Sequence, residues 1–229
     1  MRYPGGKGRC FQHLISLMPP HRTYIETHLG GGAVLRHKRP ADVSIGIDAD
    51  ERVVARWRAN CPDLATVVHG DALEFLTGYR FEGSELVYCD PPYPTSTRAR
   101  KRIYRHEYDD ADHVRLLELL RSLPCFVVVS SYENDLYAGM LRDWRTVSFP
   151  GDSHTGPRTE FAWLNFPEPD TLHDYRYCGD DFRARERLRR RRSGLARRIE
   201  NMAALERNAL FQDLADRFGA EFRAAAGGP

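Results

Sequence analysis

Leu86-Val87-Tyr88-Cys89-Asp90-Pro91-Pro92-Tyr93 is an apolar run that stops on a carboxylate, two prolines and an aromatic ring. Neither proline has an N–H to donate, so the run cannot continue past Asp90 as a central strand. It reads as a buried strand ending in a stiff corner. Other short, β-rich runs end in similar punctuation. Tyr24-Ile25-Glu26 leads into Gly30-Gly31-Gly32, and Val43-Ser44-Ile45-Gly46-Ile47 ends at Asp48. Ala65-Thr66-Val67-Val68 ends near Asp71, and Phe126-Val127-Val128-Val129 ends at Ser130-Ser131. Helical spacing fills 50–60 and 113–123, the second with Asp112 as its expected N-cap. Strand and helix alternate, which predicts an α/β fold with a mostly parallel sheet and helices on both faces.

Two later runs, Thr146-Val147-Ser148-Phe149 and Phe161-Ala162-Trp163-Leu164-Asn165-Phe166, flank a Gly/Pro loop and predict a hairpin-type pair closing the sheet. From 180 to 226 the chain is arginine-rich and helix-forming, with a break expected near Ser193-Gly194 or Asn201. The expected organisation is therefore one domain over 1–170 and an arginine-rich helical appendage over 171–229.

Of the 229 residues, 41% are hydrophobic and 29% charged, a globular balance that excludes a wholly disordered chain. No run of about 18 apolar residues is present, so no membrane-spanning helix is expected. Met1-Arg2-Tyr3-Pro4-Gly5-Gly6-Lys7 has no apolar core of a secretory signal. Five scattered cysteines without Cys-x-x-Cys predict reduced thiols in a cytoplasmic setting, and neither they nor the histidines have metal-ligand spacing, so no metal is expected. The net charge of +2 hides basic clusters at Arg98, Arg100, Lys101, Arg102 and Arg105, and again from Arg183 to Arg198. Such clusters on a near-neutral protein point to a polyanion bound at particular surfaces.

Open parallel sheets bind ligands at the carboxyl ends of their strands. Three ends here carry Asp48, Asp71 and Asp90. The glycines permit close backbone approach. A carboxylate one strand later suits ribose hydroxyls, because it accepts two hydrogen bonds. These features favour a nucleoside ligand, with a ligand-free strand–helix turn as the alternative. A dinucleotide is disfavoured: the glycines do not follow G-x-G-x-x-G, and Glu26 opposes a pyrophosphate but suits a cationic amino acid. Asp90 to Tyr93 place an acceptor, a rigid Pro91 carbonyl and a flat ring within four residues. That set suits the exocyclic amine of a planar base, the alternative being a simple strand-ending proline turn.

Tyr3-Pro4-Gly5-Gly6-Lys7, Glu26-Thr27-His28-Leu29-Gly30-Gly31-Gly32 and Tyr88-Cys89-Asp90-Pro91-Pro92-Tyr93, in this order, resemble the Dam-type (alpha-group) adenine-N6 DNA methyltransferases. The resemblance covers residues 1–166 and implies a class I S-adenosylmethionine (SAM)-dependent methyltransferase fold, a seven-stranded sheet with one antiparallel strand. It places Lys7 near the methionine carboxylate of SAM with Tyr3 beside the cofactor. Glu26 and Gly30, Gly31 and Gly32 form the cofactor loop, Asp48 holds the ribose, and Asp71 lies near the cofactor adenine. Asp90, which also borders the cofactor, joins Pro91, Pro92 and Tyr93 as the catalytic corner around a flipped target adenine. Ser130 to Tyr132 and Arg158-Thr159-Glu160 resemble later motifs. The activity implied is site-specific adenine-N6 methylation of double-stranded DNA, in restriction–modification or phage modification, in a bacterial or phage-infected cell.

Two departures stand out. Thr27 and His28 occupy positions where the family usually has Pro and Phe. The glycine loop and the Asp-Pro-Pro-Tyr corner are also too close to hold the family's target-recognition domain. Contact with DNA then falls to Arg98, Arg100, Lys101, Arg102 and Arg105, to the loop 151–158, and to Arg189 and Arg190. The alternative for the arginine helix is a solvated element packed through Leu188, Leu195, Ile199 and Leu205. For the whole chain the alternatives are an RNA adenine or cytosine-N4 methyltransferase, or an inactive DNA-binding protein on this scaffold.

Overall fold

The structure is a computed structural model that describes residues 7–8, 10–97, 105–153, 156–179 and 181–226. The chain divides into two compact units, one of residues up to 14 with 21–168, the other of 15–20 with residues from 169 onward.

The first unit is built on a seven-stranded sheet. Its strands are β1 (Thr23–Glu26), β2 (Val43–Asp48), β3 (Thr66–His69), β4 (Glu85–Cys89), β5 (Phe126–Ser131), β6 (Arg145–Ser153) and β7 (Gly156–Leu164). They lie in the order β3-β2-β1-β4-β5-β7-β6. Strands β1 to β5 pair in parallel, and β7 is antiparallel to both neighbours. This order, with one antiparallel strand, is the sheet that the family resemblance implies. Helix α1 (Phe11–Ile15) precedes β1, and α2 (Ala33–His37), α3 (Glu51–Asn60), α4 (Ala72–Gly78), α5 (Asp110–Ser122) and α6 (Asp135–Met140) connect the strands.

Every residue of β4 is buried, as expected of a strand covered on both faces. Ile25, Ile47, Val87, Val127 and Trp163 pack with Leu76, Leu116, Leu117, Leu120 and Tyr137 in one core. The first strand pairs with β2 on one side and β4 on the other, Ile25 facing Ile45 and Val87. The connection after β1 leads to β2 on one side, whereas β4 on the other side is reached from β3, so the connections diverge at β1 and leave a crevice.

Helix α5 corrects the expected cap. Asp109, not Asp112, is the N-cap; Asp112 is the third helical residue and bonds back to the Asp109 N–H, closing a capping box. The reciprocal pair satisfies two orphan donors where Asp112 alone would satisfy one.

In the second unit α7 (Phe182–Glu200) and α8 (Ala204–Ala226) are separated at Asn201–Ala203. Ser193-Gly194 lies within unbroken helix. Leu188, Leu195 and Leu205 are exposed, the last at 86%, and Ile199 is partly covered. Among the described residues no helix is long and apolar enough to cross a membrane.

Candidate active site

The crevice at the carboxyl ends of β1, β2 and β4 is a cavity of about 300 Å³, within the range that holds a small ligand. Lys7, Glu26, Gly30, Gly31, Gly32, Asp48, Asp71 and Asp90 to Tyr93 all line it. Residues separated by more than 80 positions are thus brought to one place. Tyr3, Arg98, Arg100, Lys101 and Arg102 lie outside the described residues. Arg105 lines the same cavity, its Nε 3.9 Å from Asp50 Oδ2.

The glycine loop is built against a tryptophan. Gly30 and Gly32 have φ of 45° and 54°, the left-handed region that glycine enters without steric cost. Trp57 on α3 donates its indole N–H to the Gly30 carbonyl at 3.0 Å. A Cβ added at Gly32 would lie 2.1 Å from Trp57 Cζ2.

Asp48 fastens this loop from the end of β2. Its Oδ2 accepts from the Gly30 N–H and its Oδ1 from the Asp50 N–H, both at 2.8 Å. Each oxygen keeps a second lone pair for a ligand hydroxyl. Burial pushes the Asp48 carboxyl above its usual range, and the two N–H groups oppose that. Asp50 and Asp71 are the N-caps of α3 and α4. Helical spacing alone puts Asp50 inside its helix; as the cap it stands on the cavity wall instead.

Glu26 ends β1 and is buried. Its Oε2 accepts from the Tyr24 hydroxyl at 2.8 Å and the Leu35 N–H at 3.0 Å. Burial raises its pKa to about 8, so the carboxyl holds its proton at neutral pH. In the unfolded chain it ionises near 4.5. The folded protein therefore binds the extra proton between these values. Stability from this group is complete below 4.5 and is lost as pH rises through 8. Relative to Glu26→Gln, which stays neutral, the wild type is expected to lose up to about 1.4 kcal/mol per pH unit over that window. Denaturant unfolding at pH 5, 7 and 8.5 checks it, and parallel curves would remove the assignment.

His28 is neutral, because burial lowers its pKa to about 4. Its Nδ1 lies 2.9 Å from Thr27 Oγ1 and its Nε2 3.1 Å from the Tyr108 hydroxyl. The Tyr108 ring meets His28 edge-on at 5.4 Å. The departure at His28 is thus matched by an aromatic from a distant segment, Tyr108, which also lines the cavity. The sequence places Tyr108 in the segment after the corner, as a ring suited to stacking near the target base; its pairing with His28 is a long-range contact.

The corner after β4 is anchored from three directions. Asp90 Oδ1 accepts from Lys7 Nζ at 2.7 Å and from Ser130 Oγ at 2.9 Å. Ser130 in turn lies 3.0 Å from the Tyr88 hydroxyl. Among the described residues Asp90 Oδ2 has no partner. Tyr93 is only 7% exposed. Its hydroxyl contacts Lys7 Nζ and donates to Glu160 Oε2 at 2.6 Å. Its ring meets Tyr132 edge-on at 4.7 Å. Glu160 also lies 3.7 Å from Lys7. The Lys7 ammonium therefore sits between two carboxylates, and Tyr93 is tied at its hydroxyl rather than standing free.

The family resemblance gives Glu160, Ser130 and Tyr132 no role, and the geometry supplies one. Glu160 reaches the site from β7 because β7 pairs with β5, Phe161 facing Ser131. Replacing it by alanine removes an acceptor from a buried hydroxyl and a countercharge from Lys7. Glu160→Ala is expected to cost about 1–3 kcal/mol, read from urea unfolding; an unchanged midpoint would refute the contact.

Among the described residues no group of three or more His, Cys, Asp or Glu side chains could hold a metal ion.

Residues 58–146 match the model of the family described as D12 class N6 adenine-specific DNA methyltransferase. That span includes Asp71 and the whole Asp90–Tyr93 corner. Solved structures of similar fold include precorrin 8w decarboxylase from Methanobacterium thermoautotrophicum, at 12% identity and TM-score 0.47, over 72% of this chain and 94% of that one. The O-methyltransferase from Bacillus cereus in complex with SAH is 14% identical, with TM-score 0.43, over 69% and 80% of the two chains. A dimethyladenosine transferase from Plasmodium falciparum is 12% identical, with TM-score 0.45, over 72% and 62%. No curated protein sequence matches the chain.

Proposed function

We propose that this chain is a SAM-dependent adenine-N6 methyltransferase acting on double-stranded DNA, in keeping with the family whose model matches residues 58–146. The observation that carries this reading is the asymmetry of Asp90. One oxygen is pinned by Lys7 and Ser130, and the other, among the described residues, is unpartnered on a side chain lining the cavity.

The cavity residues fit SAM. Glu26 offers a carboxyl to a cationic amino-acid group, and Gly30 to Gly32 let the backbone approach. Asp48 retains acceptor capacity for ribose hydroxyls, and Asp71 and His28 border the remaining wall. When bound, SAM supplies a methyl group made electrophilic by its sulfonium.

The protein's part is orientation and electrostatics. The adenine amine is a poor nucleophile because its lone pair is delocalised into the ring. Hydrogen bonds from its two N–H groups, one to Asp90 Oδ2 and one to the Pro91 carbonyl, favour a tetrahedral nitrogen and release that pair. Pro91 and Pro92 hold the carbonyl direction fixed. Lys7 and Ser130 stop the Asp90 carboxylate from rotating away. The amine is inaccessible within a stacked duplex, so the target base must swing out, at a cost of a few kcal/mol.

Methyl transfer from labelled SAM to duplex DNA, single-stranded DNA and RNA, followed by nucleoside analysis, tests the proposal. N6-methyladenine in duplex DNA is the expected product. Label confined to RNA, or found as N4-methylcytosine, would replace the substrate. Tight DNA binding without transfer would make the chain an inactive binder on this scaffold.

A further inference from the structure

Building on the DNA reading, we propose that one face of α7 grips the phosphate backbone of duplex DNA through Arg183, Arg187, Arg191 and Arg198. The helix carries nine arginines against Glu186 and Glu200 in 19 residues. The structure sorts most of these arginines into two sets. Arg189 and Arg190 share Glu186 at 2.8–3.0 Å. Arg185 donates to the Gly179 carbonyl at 3.1 Å and Arg192 to the Tyr175 carbonyl at 3.2 Å. Arg183, Arg187, Arg191 and Arg198 are exposed, and among the described residues none of their guanidinium groups has a hydrogen-bond or ion-pair partner. Asp181, the N-cap, accepts from the Arg183 backbone N–H and feels the charges of Arg187 and Arg183 without an ion pair to either.

With 3.6 residues per turn, these four fall within about 80° of one another around the helix. They form a single basic stripe. Like charges one turn apart repel and weaken an isolated helix, and a polyanion reverses that effect. Gly194 lies in the same stripe between Arg191 and Arg198, and a Cβ there would meet nothing within 4 Å. Arg190, Arg191, Gly194, Leu195 and Arg198 outline a notch at that point. A phosphate can approach the helix backbone there, between two turns of guanidinium groups. The planar guanidinium fork matches phosphate oxygens bidentately.

A lipid surface is the weaker fit. The apolar residues of α7, Ala184, Leu188, Leu195 and Ile199, make a narrow strip with arginines on both sides, whereas an interfacial helix needs a broad apolar face. The stripe differs from the Arg189–Arg190 contact expected from sequence, because those two side chains are already engaged with Glu186.

The test compares full-length wild type with R183Q/R187Q/R191Q/R198Q and with R185Q/R189Q/R190Q/R192Q, which removes the same charge from the engaged set. Binding to a duplex is measured from 50 to 300 mM salt, alongside methyl transfer at saturating DNA. The stripe variant is expected to flatten the log–log salt slope by about 3–4, at roughly 0.9 for each phosphate no longer neutralised. The control variant should change it by less than half as much. Transfer at saturating DNA should stay within twofold of wild type in the stripe variant. Equal slopes in wild type and stripe variant, or a larger change in the control, would overturn the inference. So would retention on phosphatidylserine vesicles that exceeds duplex binding and vanishes in the stripe variant. The two readings separate cleanly. Transfer to DNA with equal slopes removes only the α7 surface, whereas a slope difference without any transfer removes only the catalytic proposal.

Discussion

Asp90→Ala is expected to slow methyl transfer by about 10²–10³-fold, the scale on which loss of one preorganised polar group acts. SAM affinity should stay within threefold, because the glycine loop, Glu26 and Asp48 are untouched. Asp90→Asn gives the sharper result. Lys7 Nζ and Ser130 Oγ both donate to Oδ1, at 2.7 and 2.9 Å. The asparagine oxygen must therefore take that place, and its NH₂ points toward the cavity. An amide NH₂ cannot accept a hydrogen bond from the adenine amine. Asparagine should then be nearly as damaging as alanine, although it keeps the shape. Single-turnover rates and SAM titrations on both variants check this. Near wild-type transfer by Asp90→Asn would remove the acceptor role.

The second large effect is on folding. Gly32→Ala places a methyl group 2.1 Å from Trp57 Cζ2 at a residue whose φ is +54°. The left-handed conformation costs an L-residue about 1–2 kcal/mol, and overpacking a tight core adds about 1–3. The Trp57 ring cannot easily withdraw, since it is fully buried and its N–H holds the Gly30 carbonyl. A destabilisation of about 2–5 kcal/mol is expected by denaturant unfolding. Adding Trp57→Phe should recover part of it by shortening the ring. A single variant as stable as wild type would mean that the loop does not rest on Trp57.

The existence of the strands and the position of the cavity were legible because they follow from short-range signals. Apolar runs, prolines without N–H groups and glycines before a helix each act within a few residues. Asp48, Asp90 and the glycine loop are visible that way. What escaped the sequence depends on distant pairing. The β6–β7 hairpin is nine residues per strand, longer than its apolar runs, because Pro150, Gly151 and Asp152 extend β6 through polar positions. Its pairing with β5, Phe161 opposite Ser131, brings the neighbouring Glu160 to Tyr93, 67 positions away. Tyr108 meets His28 across 80 positions for the same reason. The cap of α5 falls three residues before the expected one because Asp109 and Asp112 have equivalent side chains, and only the geometry of the turn distinguishes them. Among the arginines of α7, spacing could not separate engaged from unengaged side chains, since the partners of Arg185 and Arg192 are backbone carbonyls outside the helix.

Burial keeps a proton on Glu26 in the empty crevice. A cation settling against this carboxyl would favour its ionised form and drive that hydrogen ion to solvent. Uptake is thereby coupled to buffer protonation, and the enthalpy of filling should shift with the ionisation heat of whichever buffer receives that ion.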